Sequence, residues 1–410
     1  MSNFISHDQL IVLLLSLAVM LILSRIASEF GRRFRFPAVM GEILMGILLG
    51  PTILGKLSPE IYEILFPSTG NAVIALEGIF KISVIMMLFV AGMEVQLPMV
   101  IRQGRAALST GFFGMLIPFL LGFAAAWFYP HWFGNAKTPP LQFSLFMGTA
   151  FSISALPVIA RILIDLNLFK TKLGMVIIAS AMLIDLLGWL MFSLILATRD
   201  EVNGITAFYF AFSYIVLFGV FMLTIGKRIL NMSLPWIQTK LSWPGGVLGI
   251  SLGICFLCAG LTEFFGIHAV LGAFIAGIAV GDSVHLRDEA RQIIHQFVTN
   301  IFAPLFFVSI GLRLDFLVNF SGSLVLIVLL LSYFSKILGA TIGARLGGFS
   351  RKESLAVGFG LNARGAMEII LGSLALNYGI IEAPVFVALV IMALLTSLTS
   401  GPFLRILAKN

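Results

Sequence analysis

Charge is scarce in this sequence. Asp, Glu, Lys and Arg together supply 11% of its 410 residues, where a soluble domain carries roughly 25%. Hydrophobic residues make up 59%, with a mean hydropathy of +1.06, and a water-soluble core is excluded. Cysteine is nearly missing too. The two thiols, Cys255 and Cys258, share one apolar stretch that contains no histidine, so this C-x-x-C reads as small buried hydrophobes and not as a redox or metal site. No basic leader precedes the first apolar run, Leu10 to Leu23, and no small-residue cleavage site follows it, so that run is expected to be a retained span. No Gly-rich phosphate loop follows the last apolar run. The expectation is therefore a chain that is not an enzyme, takes no cofactor and has no C-terminal nucleotide-binding domain.

What is present in abundance is apolar length. Runs long enough to cross a hydrocarbon layer of roughly 30 Å recur from Leu10 to Ala408 with short polar breaks. Cutting at charge clusters, Pro and Gly predicts an all-α polytopic membrane protein with 13 spans. They lie at about 9–28, 37–54, 74–97, 105–128, 141–165, 173–197, 204–226, 245–264, 267–281, 297–312, 322–346, 354–377 and 384–406. The net charge of +7 and pI near 9.6 do not point to nucleic acid, because the basic residues sit in short clusters between apolar runs. Arg32, Arg33, Arg35, Arg102, Arg105, Lys170, Lys172, Lys227, Arg228, Lys240, Arg287, Arg291, Arg345, Arg351, Lys352, Arg405 and Lys409 fall on one side of this topology, and Lys56, Lys137, Arg199 and Arg313 on the other. By the positive-inside rule the N-terminus is outside and the C-terminus cytoplasmic.

An internal repeat is visible. Span 2 contains Gly41, Gly46 and Gly50, and span 9 contains Gly272, Gly277 and Gly281 at the same spacing. Span 3 ends Phe-Val-Ala-Gly92-Met-Glu and span 10 ends Val-Ser-Ile-Gly311-Leu-Arg, so successive spans match in order. Copies that begin an odd number of spans apart have opposite orientations in the bilayer, which makes this an inverted repeat. The expected organisation is one transmembrane domain over 1–410, with repeats at about 9–197 and 245–406 joined by a linker helix at about 204–226.

Ionisable residues inside spans are costly, so each calls for a use. Asp185 lies in the middle of span 6 with no cation within one helical turn. A carboxylate taken out of water there is suited to accept a proton or a small cation. Span 5 places Thr149, Ser152 and Ser154 ahead of Pro157, and span 12 carries Asn362, Arg364, Gly365 and Glu368. Both read as helices broken in mid-membrane, which is tolerated only against protein or a wet cavity and frees carbonyls as cation ligands. Arg364 and Glu368, spaced i, i+4, either neutralise each other or tune the site. Lys336 in span 11 has no local partner, and it and Arg364 are the candidate counter-charges for Asp185. Glu77 with Lys81 and Arg161 with Asp165 read as structural i, i+4 pairs, and Glu42 and Glu263 as weak candidates for lining access paths.

At these residues the sequence resembles the second monovalent cation:proton antiporter family, which includes the Kef-type potassium transporters, on the sodium/proton antiporter fold. The motifs are Pro37-Ala-Val-Met-Gly-Glu-Ile-Leu-Met-Gly-Ile-Leu-Leu-Gly-Pro, Gly266-Ile-His-Ala-Val-Leu-Gly-Ala-Phe-Ile-Ala-Gly, Pro304-Leu-Phe-Phe-Val-Ser-Ile-Gly and Asn362-Ala-Arg-Gly-Ala-Met-Glu, in family order. The resemblance implies two crossing broken spans, 5 and 12, in a core domain that moves like an elevator, a homodimer in the bacterial inner membrane, and cation binding at Asp185. Its substrates would be Na+ or K+ and H+. Family members often carry a polar or acidic residue just before that aspartate, whereas this chain has Ile184, so exchange is expected to be electroneutral, one cation for one proton. The competing readings are a gated monovalent cation efflux channel and a sodium-coupled solute symporter.

Overall fold

The computed structural model describes residues 5–33, 38–95, 97–134, 138–197, 204–265, 268–283 and 286–408. Pro37, Gly266, Arg35, Lys137, Arg199 and Lys409 lie outside the described residues, as do the side chains of Arg32, Arg102, Arg161 and Asp165. Within them the regular elements are helices, as expected where water is excluded and each segment must satisfy its own backbone. In chain order they are α1 (His7–Arg33), α2 (Ala38–Leu49), α3 (Leu54–Leu57), α4 (Pro59–Leu65), α5 (Asn71–Glu94), α6 (Leu97–Phe128) and α7 (Pro140–Ser152). There follow α8 (Leu156–Asp165), α9 (Lys172–Ala197), α10 (Gly204–Phe221), α11 (Lys227–Lys240), α12 (Gly245–Phe264) and α13 (Ala269–Gly281). The chain ends with α14 (Asp288–Phe297), α15 (Ala303–Arg313), α16 (Gly322–Leu346), α17 (Arg351–Leu361), α18 (Ala366–Asn377) and α19 (Ala383–Ala408). Single π-turns join α10 to α11 and α14 to α15.

Ten of the described helices are long and apolar enough to cross a membrane, and eleven when α17 and α18, bent by 47°, are taken as one span. The 13 spans read from sequence exceed this count by two segments, the interrupted stretch of α7 and α8 and the short α13 of 13 residues.

The helices form two compact units, Met1–Val95 with Ala211–Asn319, and Gln96–Phe210 with Phe320–Asn410. Each draws on both sequence repeats. In the first unit, α2 packs on α15 and α5 on α13. Glycine permits both approaches: a Cβ on Gly46 would enter the backbone of Val308, and one on Gly277 would enter that of Phe89. Glu77 in α5 meets Arg313 at 3.9 Å, so its ionic partner is across the unit and not the Lys81 one turn away. Glu263 accepts the Ala269 N–H at 2.8 Å at the start of α13, where a carboxylate suits the positive helix end. Glu42 receives the Ser28 hydroxyl at 3.3 Å.

In the second unit, α6 and α16 pack face to face. A Cβ on Gly339 would strike the Phe113 carbonyl, and the Ser109 hydroxyl donates to the Gly343 carbonyl at 2.8 Å. The chain enters this unit through a kink at Gly104, whose φ of 55° lies in the left-handed region that favours glycine. Beside this pair α7 packs on α6 and α17 on α16, and α9 packs on both α6 and α7.

Candidate functional site

The second unit contains two interrupted helices. After Ser152 the backbone runs extended through Ile153 (φ −67°, ψ 148°) and Ala155 (φ −100°, ψ 96°) before α8 restarts with a proline in its first turn, a position where the missing N–H costs nothing. The stretch between α17 and α18, residues 362–365, is the second interruption. The two meet directly. The Ala155 N–H donates to the Ala363 carbonyl at 2.9 Å, and the Ser154 hydroxyl donates to the Leu361 carbonyl at 2.8 Å.

A helix that stops inside a protein leaves its last carbonyls without intrahelical donors. In α7 each of these finds one. The Thr149 carbonyl accepts the Ile153 N–H at 3.2 Å. The Ala150 and Phe151 carbonyls accept the two terminal nitrogens of Arg364 at 2.7 and 2.5 Å. The Ser152 carbonyl accepts the Lys336 ammonium. The Arg364 guanidinium and the Lys336 side-chain nitrogen thus sit at the buried C-terminal end of α7, where the peptide dipoles favour positive charge. Arg364 also donates to Glu368 at 3.1 Å, and its own carbonyl accepts the Ser397 hydroxyl of α19. Arg364, Lys336 and Glu368 are all buried.

Asp185 is buried on α9, at 1% exposure. Three residues along, a Cβ on Gly188 would meet the Ile153 side chain at 2.6 Å, and eight residues back Ile177 lies against Gly360 near the end of α17. Residues 177, 181, 185 and 188 share one helix stripe, so the face that carries Asp185 looks onto both interrupted segments. Lys336 lies within electrostatic reach of Asp185, Arg364 and Glu368. Lys336 donates to the Ser152 carbonyl and Arg364 is engaged with α7 and Glu368.

The hydroxyls singled out from sequence all donate to carbonyls. Thr149 donates to Leu145 at 2.8 Å, and Ser152 to Gly148 at 2.6 Å and Met115 at 3.1 Å. Each keeps oxygen lone pairs to offer a cation. The carbonyls freed by the break in α7 accept from Arg364 and Lys336, so the ligands that a broken helix was expected to expose are covered there by two basic side chains. Asn362 is fully buried, and among the described residues neither its amide oxygen nor its amide nitrogen has a hydrogen-bond partner. Ser397 and Ile153 were not singled out from sequence. A Thr-Ser-Leu-Thr-Ser run at 396–400 is the only trace of the former, and nothing distinguishes the latter from any apolar residue. Among the described residues no group of three His, Cys, Asp or Glu side chains is placed to hold a metal.

The model of the family described as sodium/hydrogen exchanger, transmembrane, matches residues 8–410. The Na(+)/H(+) antiporter NhaS4 of Synechocystis is 32% identical over 400 residues, covering 96% of this chain and 97% of that protein. The K(+)/H(+) antiporter 1 of Saccharomyces cerevisiae is 28% identical over 384 residues, which is 91% of this chain. This chain spans about half the length of several relatives it matches, 43% of the yeast protein and 48% of an Arabidopsis cation/H(+) antiporter among them. The solved sodium proton antiporter MjNhaP1 of Methanocaldococcus jannaschii shares the fold, with a TM-score of 0.67 over 98% of each chain at 17% identity.

Proposed function

We propose that this chain, which belongs to the transmembrane sodium/hydrogen exchanger family, is a secondary antiporter that exchanges sodium or potassium for protons at Asp185. The observation that carries this reading is the buried Asp185 carboxylate on the face of α9 that looks onto the two interrupted helices. One carboxylate holds either a proton or a monovalent cation. Competition for it, combined with exposure to one side of the membrane at a time, couples the two fluxes without ATP. The Synechocystis, yeast and Arabidopsis relatives are all named as antiporters, which favours exchange over the channel reading.

In this reading Thr149, Ser152 and Ser154 supply neutral oxygens near the ion. Arg364 and Lys336 fix the broken end of α7, Glu368 holds Arg364, and Asn362 tunes the site. Ile184, fully buried, adds no second carboxylate, and Lys336, engaged with the Ser152 carbonyl, acts as a fixed charge. Exchange is therefore one for one and electroneutral. The full architecture is 13 spans with α7 and α8 as one broken span and α13 as a short one, forming a single exchanger domain. The inverted repeat is supported by the reciprocal packing of α2 on α15 and α13 on α5, the same contact with the two repeats exchanged. Basic loops favour an N-terminus outside and a cytoplasmic C-terminus in a bacterial inner membrane, and a homodimer completes the proposal on the family resemblance.

The test is proton flux in reconstituted vesicles holding an imposed pH gradient. Added Na+ or K+ should collapse the gradient in wild type, and Asp185→Asn, near-isosteric but unable to cycle a proton, should insert and purify normally yet leave it intact. Wild-type rates in that variant would overturn the assignment.

A further inference from the structure

We infer that the Asn362 side-chain oxygen is a direct ligand of the transported cation, and that this neutral ligand, and not the carboxylate, sets which monovalent cation is preferred. This rests on the exchange reading at Asp185 and deepens it.

Oxygens are plentiful where the two interrupted helices meet, but few are open to a new ligand. A cation stripped of water must be offered several oxygens in place of its hydration shell. Most of those at the crossing are already committed. The carbonyls of Ala150, Phe151 and Ser152 accept from Arg364 and Lys336. Those of Leu361 and Ala363 accept from Ser154 and Ala155. Glu368 has one oxygen bonded to Arg364, and the cation on that guanidinium opposes a second cation beside it. The Thr149, Ser152 and Ser154 hydroxyls keep lone pairs but are each tethered by the hydrogen bond they donate to a carbonyl; the Asn362 amide is not tethered. Asn362 lies between Leu361 and Ala363, the two residues that tie the segments together, it is 0% exposed, and neither polar atom of its amide has a hydrogen-bond partner among the described residues. Native proteins seldom leave a buried amide in that state without a use for it.

The amide also fits the chemistry. It offers one oxygen with two lone pairs and carries no charge, so it can contribute to binding a cation without altering the proton count. Its reach is fixed by the backbone segment on which it sits, which is hydrogen-bonded on both sides to residues 154 and 155. A ligand at a fixed distance discriminates by ionic size, which a lone flexible carboxylate does poorly. Asp185 then supplies the charge that protons compete for, and Asn362 supplies the size-dependent part of the binding.

The experiment compares wild type, Asn362→Ala and Asn362→Ser in vesicles, with Li+, Na+, K+ and Rb+ tested one at a time over a range of pH. Loss of the ligand should raise the half-saturating concentration of the preferred cation about tenfold. It should flatten or reorder the preference among the four ions while leaving the pH dependence of the maximal rate as in wild type. The serine variant, which keeps a shorter oxygen, should fall between the two and decides the matter if the alanine variant does not fold. Unchanged half-saturation and rank order in a folded variant would overturn the inference, as would an equal loss for all four ions that appears only in the maximal rate. The outcome is separable from the parent reading: exchange persisting in Asp185→Asn sinks the site itself, whereas an unchanged ion preference at position 362 with Asp185→Asn inactive removes only the amide.

Discussion

The Arg364 guanidinium and the Ala150 carbonyl, 214 positions apart in sequence, are joined at 2.7 Å in the buried centre of the second unit. Arg364 therefore does more than pair with Glu368 one turn away. It closes the C-terminal end of α7, and its removal strands two carbonyls and a buried carboxylate together. Breaking a buried ion pair from one side costs about 3–5 kcal/mol. Arg364→Met should lower thermal stability of the detergent-purified protein by that order, and adding Glu368→Gln should recover part of the loss. A single variant that melts like wild type would show that the end of α7 does not depend on this residue.

Close backbone approach makes a second prediction in the first unit. A Cβ at Gly46 would enter the Val308 backbone, and one at Gly311 would enter the backbone of Gly46 and Ile47. Neither obstacle is a flexible side chain, so helices α2 and α15 must separate to accept it. Gly311→Ala should cost about 1–3 kcal/mol or more and reduce the yield of monodisperse protein by size exclusion. Gly253→Ala in α12, where nothing lies within 4 Å of the new Cβ, is the control and should be neutral or slightly stabilising.

These cases show what was legible in the sequence. The spacing of Gly41, Gly46 and Gly50 against Gly272, Gly277 and Gly281 marked the close-packed helices because a missing Cβ leaves a direct trace in the residue type. Asp185 was legible because an acid in an apolar run is costly. Breaks in α7 and α17 were legible from proline, glycine and clustered polar residues. Partnerships were not. Glu77 has a cation one turn away in Lys81, yet meets Arg313 at 3.9 Å, because spacing on one helix carries no information about the charges that another helix presents. The expectation of exposed carbonyls at the break failed to anticipate the caps for the same reason, since Lys336 lies 184 positions from Ser152. Span length was less legible: the break between α7 and α8 and the 13 residues of α13 leave two of the expected spans shorter than a continuous crossing helix.

A third prediction concerns the turn after α15. Lys56 pairs with Asp315 at 2.7 Å, and the same carboxylate accepts the Leu317 and Val318 amides at 2.9 and 3.2 Å. The Lys56 ammonium, with those two amides, holds the Asp315 carboxyl below the usual carboxylate range. A depressed folded value means that its contribution is fully present above the ordinary carboxylate value and is lost as the pH falls through the folded one. The turn should loosen only under acid conditions. Hydrogen exchange at Leu317 and Val318, corrected for intrinsic rates, should be constant around neutrality and rise at low pH, and Asp315→Ala should show the fast exchange at every pH.

The fourth prediction turns on the residue beside the ion site. Ile184 is fully buried with its side chain near Gly114 of α6, so the position next to Asp185 contributes packing and no charge. If Asp185 is the only group that gains and loses a proton in the cycle, each turnover carries one positive charge each way and none net. Lys336 is a group able to break this arithmetic, because it is buried within electrostatic reach of Asp185. An ammonium that released its proton each cycle would add a second proton per cation and make exchange electrogenic. Vesicles clamped at different potentials with potassium and valinomycin, with Na+ as the transported ion, distinguish the two. The expected result is an exchange rate independent of potential, and no transient current on a supported membrane. In the variant Ile184→Asp, a second carboxylate supplies the missing titratable group, and any exchange it retains should become sensitive to potential. A current in wild type would show that a second group carries a proton, and its loss in Lys336→Met would assign that proton to Lys336.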